Sequence, residues 1–378
     1  MSQVRVIDVR TPSRRYQVHV GERLVGELGR LTRAVCPKAT KAQVISDSNV
    51  APLYADGVVS ALADAGLSCT VQIFEAGEAS KNIHTLSSLL EGLASDGLTR
   101  DDIVVALGGG VVGDIAGLAA AMYLRGCAVV QLPTSLLAMV DSSVGGKCAV
   151  DLRAGKNLAG AFWQPSLVVA DLRLLDSLNR EFFADSCGEI IKYGVIADAA
   201  LFLELEADPI AAKDVGKERL VRIVARSIEI KRSVVEADER EGGLRQILNF
   251  GHTLGHAIEA ASDFKLGHGS SISAGMCIIA RASARMGWCS EVTARRIEDV
   301  VCAHGLPTGT DIDAETLLSF ATHDKKRRAD HLNVVVPREI GRVELRDITI
   351  EGLIIFGMLN GSACRLYRRS MQEIRCIS

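Results

Sequence analysis

The stretch Ile103-Val-Val-Ala-Leu-Gly108-Gly-Gly-Val-Val-Gly113-Asp114 decides the fold of the first half of this chain. Its apolar, β-branched start is typical of a strand buried on both faces, and the glycines that follow open a helix. This arrangement directs backbone N–H groups and the positive end of the helix dipole toward a phosphate or pyrophosphate. Gly108, Gly110 and Gly113 keep the Gly-x-Gly-x-x-Gly spacing, although such a turn is about equally often purely structural. Because open α/β sheets bind ligands at the carboxyl ends of their strands, we expect a dinucleotide here.

Other short apolar runs flank this stretch and alternate with helical patterns such as the one over residues 84–96. The runs are Val4-Arg-Val-Ile, Gln43-Val-Ile-Ser, Thr70-Val-Gln-Ile-Phe, Val129-Val-Gln-Leu and Leu167-Val-Val-Ala. Strands that alternate with helices predict a Rossmann-like α/β domain with a mainly parallel sheet over residues 1–175. Beyond it the periodicity is helical, as over residues 217–236, 272–286 and 292–304, and predicts an all-α domain over 176–361. Residues 362–378 form a tail of unknown role.

Composition narrows the classes of function. With 378 residues, 48% of them hydrophobic, the chain can bury a large core and form two domains. A formal net charge of -3 gives no electrostatic argument for binding nucleic acid or an anionic membrane. No uncharged apolar run reaches the ~18 residues of a spanning helix, and the first residues lack a signal-peptide pattern. None of the ten cysteines forms a Cys-x-x-Cys pair, so we expect a cytoplasmic protein with reduced thiols.

A polar stripe is predicted in Arg245-Gln-Ile-Leu-Asn249-Phe-Gly-His252-Thr-Leu-Gly-His256. Residues spaced i, i+4, i+7 and i+11 share one face of an α-helix, so Arg245, Asn249, His252 and His256 would form the wall of a site. Gly251 and Gly255 each cost about 1 kcal/mol relative to alanine inside a helix. We therefore expect some group to approach the backbone closely at both glycines.

Metal-ligand chemistry is the second feature of this region. A third histidine, His268, follows the stripe, and Glu189 stands at the head of an apolar-periodic segment that runs to about Glu206. One carboxylate and two imidazoles with an open fourth position are typical of a catalytic zinc, whereas structural zinc usually takes cysteines. A lone histidine is more often a hydrogen-bonded core residue, but three so close together favour a metal site.

Lysines set among glycine, serine and apolar residues point to an anionic ligand. A buried ammonium without a partner is costly, so such lysines tend to contact phosphate or carboxylate groups. The candidates are Lys147, Lys156, Lys192, Lys231 and Lys325. Residues 326–328, which continue the basic run after Lys325, are interpreted as an ordinary solvated segment.

Five motifs in order show that the chain resembles the 3-dehydroquinate synthase family of sugar-phosphate cyclases over about residues 15 to 360. They are Gly-Gly-Gly-Val-Val-Gly-Asp114, Pro-Thr-Ser-Leu-Leu-Ala-Met-Val-Asp141-Ser-Ser-Val-Gly-Gly-Lys147, Gly-Lys156-Asn157-Leu-Ala-Gly-Ala-Phe, Glu189-Ile-Ile-Lys192-Tyr-Gly, and Gly-Leu-Arg245 through His256, with His268 after them.

The resemblance implies a carbon–oxygen lyase that acts on phosphates and depends on NAD and on zinc or cobalt. Such enzymes convert 3-deoxy-D-arabino-heptulosonate 7-phosphate to 3-dehydroquinate and phosphate, a step of the shikimate pathway of aromatic amino acid biosynthesis. The implied course is transient oxidation by NAD, phosphate elimination, reduction and intramolecular aldol closure. No net redox change results.

The resemblance also implies a role for each matching position. The implied metal ligands are Glu189, His252 and His268. His256, Asp141 and Glu241 would surround the oxidised hydroxyl, with His256 accepting its proton. Lys231 and Arg245 would bind the substrate carboxylate. The implied phosphate pocket comprises Lys147, Asn157, Lys192, Asn249 and Lys325, with Arg125 reaching in from the second subunit of a homodimer.

The positions implied to bind NAD are Asp47, Glu78, Lys81, Gly110, Val111, Val112, Gly113, Asp114, Thr134, Ser135, Lys147, Lys156 and Ser177. Three departures from the family pattern accompany these matches. Ser270-Ser271 replaces the usual Glu-Ala after His268-Gly, which predicts the loss of a carboxylate that orients His268. Residues 178–188 lack the usual Leu-Pro and have altered spacing, and Cys148 stands where threonine is common.

Three functions remain open at this stage. The first is 3-dehydroquinate synthase. The second is a related cyclase, such as a 2-deoxy-scyllo-inosose or aminodehydroquinate synthase, or a metal-dependent polyol dehydrogenase. The third is a non-catalytic binding protein derived from the same fold. Arg245 favours the first, because a carboxylate-binding arginine is needed only for a substrate that carries a carboxylate.

Overall fold

A computed structural model describes residues 4–210, 215–263, 265–321 and 331–349. The chain divides into two compact units, each described separately below. The first unit extends to Phe183 and takes in Val215–Gly242 as well, and the second consists of Ala184–Asp214 and the chain from Gly243 onward. From the sequence, the boundary is predicted at residue 175. The sequence does not indicate that Val215–Gly242 belongs to the first unit.

The strands are β1 (Arg5–Arg10), β2 (Arg15–Gly21), β3 (Lys41–Asp47), β4 (Ser68–Phe74), β5 (Ile103–Gly108), β6 (Ala128–Pro133), β7 (Lys147–Leu152), β8 (Gly155–Phe162), β9 (Leu167–Asp171), β10 (His331–Glu339) and β11 (Arg342–Thr349). The helices are α1 (Leu28–Val35), α2 (Ala51–Asp64), α3 (Ile83–Ser95), α4 (Gly110–Met122), α5 (Arg180–Ala197), α6 (Ala199–Ala207), α7 (Lys217–Ala237), α8 (His252–Ala261), α9 (His268–Arg285), α10 (Glu291–Ala303) and α11 (Ala314–Ala321).

The first unit contains a seven-stranded sheet in the order β1-β2-β9-β6-β5-β3-β4. All neighbouring strands are parallel except β1 and β2, which form an antiparallel hairpin at one edge. Every residue of β5 is buried, as its unbroken apolar run predicts. The predicted α/β domain with a mainly parallel sheet is confirmed.

The carboxyl ends of the parallel strands determine where ligands can bind in this unit. β5 ends at Gly108, Gly109 caps the next helix, and α4 begins at Gly110. β3, β4 and β6 run parallel to β5, so the residues that follow all four strands lie along one edge of the sheet. α7 belongs to this unit because its apolar face packs on β1 and β2.

Helices make up most of the second unit, as predicted. α8 and α10 pack against α9, which is largely buried, and α11 packs against α8. The unit also contains an antiparallel hairpin of β10 and β11, in which Val334, Val335 and Val336 are buried. A run of three valines is typical of a strand, but only helices were predicted for this half of the chain. None of the described helices is long and apolar enough to cross a membrane.

Candidate functional site

Three predicted metal ligands meet in the second unit. Glu189 comes from α5, His252 from the start of α8 and His268 from the start of α9. Their ligand atoms all lie within 4.8 Å of one another. The Nε2 atoms of His252 and His268 are 3.5 Å and 3.6 Å from the Glu189 carboxylate. Glu189 is fully buried. Removing its carboxylate from water has a large desolvation cost, so the fold must stabilise it by nearby positive charge.

Glycines allow the three helices to approach closely enough for these contacts. A β-carbon at Gly188 would lie 2.5 Å from the carbonyl oxygen of Gly269, where α5 meets α9. One at Gly251 would lie 2.7 Å from the carbonyl oxygen of Ile272, and one at Gly275 would overlap the carbonyl oxygen of Gly251. The close approach expected at Gly251 and Gly255 is therefore real, and the approaching group is the backbone of α9.

The electrostatics of the cluster suit a divalent cation. Burial, followed by the positive charge of Lys192, holds the pKa of His252 well below its usual range, so its imidazole is neutral and has a lone pair to donate. Burial alone would lower the pKa of His268, but the carboxylates of Glu189 and Glu259 raise it to about 10. His268 thus carries a positive charge between two carboxylates, at a place where a metal ion can supply that charge instead.

Lys192 lies one helical turn after Glu189 and is almost fully buried. Its ammonium contacts the Glu189 carboxylate and lies 4.9 Å from the centre of the Tyr193 ring. The resemblance implies a phosphate-binding role for Lys192. In the structure, the ammonium of Lys192 also neutralises the charge of the Glu189 carboxylate.

The single helical stripe predicted for Arg245, Asn249, His252 and His256 is wrong. Arg245 and Asn249 lie on a 3-10 helix over Leu244–Asn249, and α8 begins only at His252. Gly251 separates the two helices in a left-handed conformation with φ 82°, which favours glycine, and its lack of a side chain also permits the close contact with α9. His256 nevertheless joins the cluster, with its ring centre 5.3 Å from that of His252 and 5.9 Å from that of His268.

Helix α5 is also longer than predicted. Glu189 lies in the middle of α5, not at the head of a helical segment, since the divergent residues 180–188 form the first half of that helix. The segment predicted to continue to Glu206 is interrupted at Asp198, whose side chain caps α6.

Two carboxylates beside His268 were not predicted from the sequence. The Oε2 atom of Glu259 lies 3.3 Å from Nδ1 of His268. The side chain of Asp185 accepts hydrogen bonds from the backbone N–H groups of Gly269 and Ser270. Ser270 therefore does not leave His268 without an orienting carboxylate. Glu259 could have been found from its spacing, because it follows His252 by seven positions on the same face of α8.

A second group of predicted site residues lies in the first unit. The ammonium of Lys81 is 2.6 Å from Asp114 Oδ2 and 2.6 Å from Asn157 Oδ1, and Lys81 is only 5% exposed. Burial alone would lower the pKa of Lys81, but the adjacent Asp114 outweighs burial and raises it, so the lysine stays charged. Lys156 and Glu78 lie 3.4 Å apart in the same unit. Asn157, assigned to the phosphate pocket by resemblance, thus contacts a predicted NAD residue.

Two further ion pairs in this unit join predicted catalytic residues. Lys231 Nζ lies 2.8 Å from Asp141 Oδ1 and also donates to the backbone carbonyl of Asp141. Lys147 Nζ lies 2.6 Å from Glu241 Oε2. Lys231 is 6% exposed, so its pairing with Asp141 fixes an ammonium that is largely removed from water.

The carboxyl edge of the sheet fits a dinucleotide. No side chain caps the first turn of α4, which begins at Gly110, so its N–H groups can face an anion. Thr134, which follows β6, donates its backbone N–H to the carbonyl of Gly108, and Ser135 comes next in the chain. Asp47 ends β3 and accepts from the N–H groups of Asn49 and Val50, and Ser177 accepts from the hydroxyl of Tyr54.

Two predicted residues are not among the contacts described above. Arg125 is exposed and has φ 67°, at the end of a 3-10 turn over Tyr123–Arg125. Lys325 lies outside the described residues, as does the tail over 362–378.

Two protein-family models match the chain. The one described as 3-dehydroquinate synthase N-terminal matches residues 71–185, and the one described as 3-dehydroquinate synthase C-terminal matches residues 186–327. The 3-dehydroquinate synthase of Caldanaerobacter subterraneus subsp. tengcongensis is 43% identical over 319 residues, which are 84% of this chain and 90% of the relative. That of Symbiobacterium thermophilum is 44% identical over 336 residues, which are 87% and 93% of the two chains.

A solved structure shows the same similarity at the level of the fold. It is a 2-deoxy-scyllo-inosose synthase complexed with carbaglucose-6-phosphate, NAD+ and Co2+. Its TM-score is 0.85 at 26% sequence identity, and the match covers 93% of this chain and 99% of that chain.

Proposed function

We infer that this chain, which belongs to the 3-dehydroquinate synthase family, works through the cluster of Glu189, His252 and His268. The resemblance read from its five motifs is confirmed, and its activity is that of a 3-dehydroquinate synthase. The substrate is a seven-carbon sugar phosphate, and the products are 3-dehydroquinate and inorganic phosphate. In chemical class this is a carbon–oxygen lyase that acts on a phosphate.

The observation that carries the proposal is the buried Glu189 with two imidazoles around it. This ligand set fits zinc or cobalt, since three protein ligands leave coordination positions open for a substrate. When bound, the metal supplies a Lewis acid that polarises a substrate oxygen, and NAD supplies a reversible two-electron oxidation. Both cofactors are bound by the inosose synthase of similar fold.

The surrounding side chains then bind substrate and move protons. His256 is exposed beside the cluster, and we assign an imidazole nitrogen of His256 to accept the proton of the substrate hydroxyl. Arg245, only 1% exposed, presents a planar guanidinium that suits a carboxylate. Lys192 and Asn249 are proposed to bind the substrate phosphate.

In the first unit, paired charges hold the cofactor and substrate groups in place. The buried Lys81 bonds to Asp114 and Asn157 in a group that we assign to NAD, together with the first turn of α4. Asp141 holds the ammonium of Lys231, which we assign to the substrate carboxylate, and Glu241 pairs with Lys147. We further propose a homodimer in which the exposed Arg125 reaches the phosphate pocket of the second copy.

A related cyclase is the second candidate, because the inosose synthase shares this fold over almost its whole length. Its identity to this chain is 26%, however, whereas the two dehydroquinate synthases are 43% and 44% identical. A carboxylate-free sugar phosphate would also lack the group that we assign to Arg245.

Phosphate release from purified protein tests the proposal. With NAD, zinc and 3-deoxy-D-arabino-heptulosonate 7-phosphate, we expect steady release of inorganic phosphate, and no release from a hexose 6-phosphate that lacks a carboxylate. Chelation should abolish turnover, and added zinc or cobalt should restore it. Release from the hexose phosphate alone would identify a different cyclase, and full activity of protein shown by elemental analysis to be metal-free would refute the metal cluster.

A further inference from the structure

We propose that Asp185 is a positioning residue for the metal ligand His268, which it holds by fixing the first turn of α9. The inference rests on the proposed metal role of Glu189, His252 and His268. Asp185 touches none of the reacting groups in this proposal. It acts through the backbone on either side of the residue that binds the metal.

The hydrogen bonds of Asp185 define this role. Its Oδ2 atom accepts from the N–H of Gly269 at 3.0 Å, and its Oδ1 atom accepts from the N–H of Ser270 at 2.7 Å. These N–H groups belong to the two residues after His268, in the first turn of α9, where no intrahelical acceptor exists. Gly267, the residue that caps α9, offers no side chain for this purpose. A carboxylate from another helix therefore fixes the start of α9.

Two glycines on either side of His268 make the contact possible. A β-carbon at Gly267 would overlap the carboxylate of Asp185, and one at Gly269 would overlap its backbone carbonyl oxygen. Helix α5 thus packs against the backbone on both sides of His268. In such close packing, a small displacement of Asp185 displaces the His268 backbone as well.

Asp185 and Glu259 together restrict His268 in two ways. Glu259 lies 3.3 Å from Nδ1 and orients the imidazole ring, while Asp185 fixes the backbone from which the ring projects. Asp185 also precedes Glu189 by four positions, so both side chains lie on one face of α5. One turn of α5 therefore supplies a metal ligand and the group that aligns another ligand with it.

This arrangement links two features that looked like defects in the sequence. Asp185 lies within the divergent segment over residues 178–188, and Ser270 is the position at which an acidic residue is missing. The Asp185 carboxylate binds the N–H of Ser270, so the negative charge near the start of α9 comes from α5.

The test compares Asp185→Asn and Asp185→Ser with Asp198→Asn. Asp198 is a matched control, because its carboxylate caps α6 through the N–H groups of Ala200 and Leu201, and α6 carries no proposed metal ligand. Zinc Kd would be measured by competition with a chromophoric chelator, and the visible spectrum of the Co2+-loaded protein would report ligand geometry. Both measurements would be made well below the Tm of every variant.

We expect the zinc Kd to rise by about 10- to 100-fold in Asp185→Asn, as it does when other groups that orient metal ligands are replaced. The visible spectrum of the Co2+-loaded protein should change as well. Asp185→Ser, whose single hydroxyl acceptor is one bond shorter than the carboxylate, should raise the zinc Kd at least as much as Asp185→Asn, which keeps one carbonyl acceptor at full length. Asp198→Asn, in which the asparagine carbonyl oxygen can still cap α6, should leave Tm close to wild type and zinc Kd within about twofold of wild type.

Equal zinc Kd in wild type and both Asp185 variants would overturn this inference, and would leave Asp185 as an ordinary helix cap. Loss of zinc affinity in Asp198→Asn to the same degree would also overturn it, because the effect would then be general destabilisation. A wild-type protein that binds no zinc would overturn the metal centre itself, which is a distinguishable result.

Discussion

Glu189 has three partners that are positively charged or can become so. Its buried carboxylate contacts Lys192 and lies within 3.6 Å of the imidazoles of His252 and His268. The surroundings give the two histidines different protonation states, since the pKa of His252 is lowered and that of His268 is raised. From residue type alone, the two imidazoles would be expected to behave alike. Their neighbours favour a neutral imidazole at His252, whereas the imidazole of His268 would have to lose a proton before it could bind a metal ion.

Replacement of Arg245 by lysine tests the proposed carboxylate contact. Lysine keeps the positive charge but loses the planar fork, so kcat/KM for the heptulosonate phosphate should fall by about 10- to 100-fold, or roughly 1.5–3 kcal/mol. Zinc content and NAD affinity should stay near wild type. Arg285→Lys, at the far end of α9, is the control. An unchanged kcat/KM in Arg245→Lys would count against a carboxylated substrate.

Close packing of helix backbones builds the metal cluster at the scale of elements. Gly251 at the start of α8 faces Gly275 in the middle of α9, and Gly188 on α5 faces Gly269 on α9. At each contact, a backbone group of one helix occupies the space that a side chain would otherwise fill. The helices that carry His252 and Glu189 can therefore pack closely against the helix that carries His268. This close packing offsets the conformational entropy that each glycine loses on folding.

The Gly275→Ala substitution should weaken both stability and metal binding. Its β-carbon would overlap the carbonyl oxygen of Gly251, so α8 must shift away from α9, at a cost of about 1–3 kcal/mol. Because His252 begins α8, zinc Kd should weaken in the same variant. Gly57→Ala in α2 is the control, since a β-carbon there meets nothing within 4 Å and should stabilise the protein by about 0.5–1 kcal/mol. Normal zinc affinity in Gly275→Ala would show that the cluster tolerates helix movement.

Asp102 connects the starts of two parallel strands in the first unit. Its carboxylate accepts from the N–H groups of Thr40 and Lys41, before and at the start of β3, and from that of Thr99, before β5. Burial alone would raise the pKa of Asp102, but these N–H donors outweigh it and lower the pKa to about 2. The lowered pKa means that the charged form stabilises the fold above the unfolded-state pKa of about 4.

The Asp102→Asn variant should therefore lose stability in a pH-dependent way. At pH 7 we expect a loss on the order of 1–2 kcal/mol in the free energy of unfolding, measured with denaturant. As the pH falls from about 4 to about 2, wild type should lose this contribution and the two proteins should converge. Asp101→Asn, an exposed neighbour, is the control. A constant difference between wild type and Asp102→Asn across this pH range would contradict the assignment.

At the scale of the whole molecule, each unit contributes its own chemistry. The first unit provides a sheet edge with a helix start at Gly110 that has no side-chain cap, and an ion pair between the buried Lys81 and the partly buried Asp114. The second provides the cluster of Glu189, His252 and His268. A reaction that needs both NAD and a divalent cation suits a chain that contains both kinds of site.

NAD should be required for turnover but not consumed. In the proposed reaction, the substrate that NAD oxidises is reduced again before the product leaves, so phosphate release should proceed without accumulation of reduced nicotinamide. Simultaneous measurement of phosphate and of absorbance in the reduced-nicotinamide band checks this. Formation of one NADH for each substrate consumed would instead support a metal-dependent polyol dehydrogenase.

The sequence by itself determined the class of fold and most of the candidate site. The apolar, β-branched run over 103–107 is typical of a strand covered on both faces, and the glycines after it suit a tight turn into a helix, so both follow from local physics. Motif order then predicted the family, which is confirmed, and three candidate metal ligands, which the structure brings together.

Only the tertiary structure decided what lies beside these residues. The break at Gly251 depends on the close approach of α9, and the return of Val215–Gly242 to the first unit depends on packing against β1 and β2. The contacts of Asp185 and Glu259 with the start of α9 likewise join residues that are far apart in the chain. Periodicity and spacing describe one element at a time, whereas these features arise from contacts between elements.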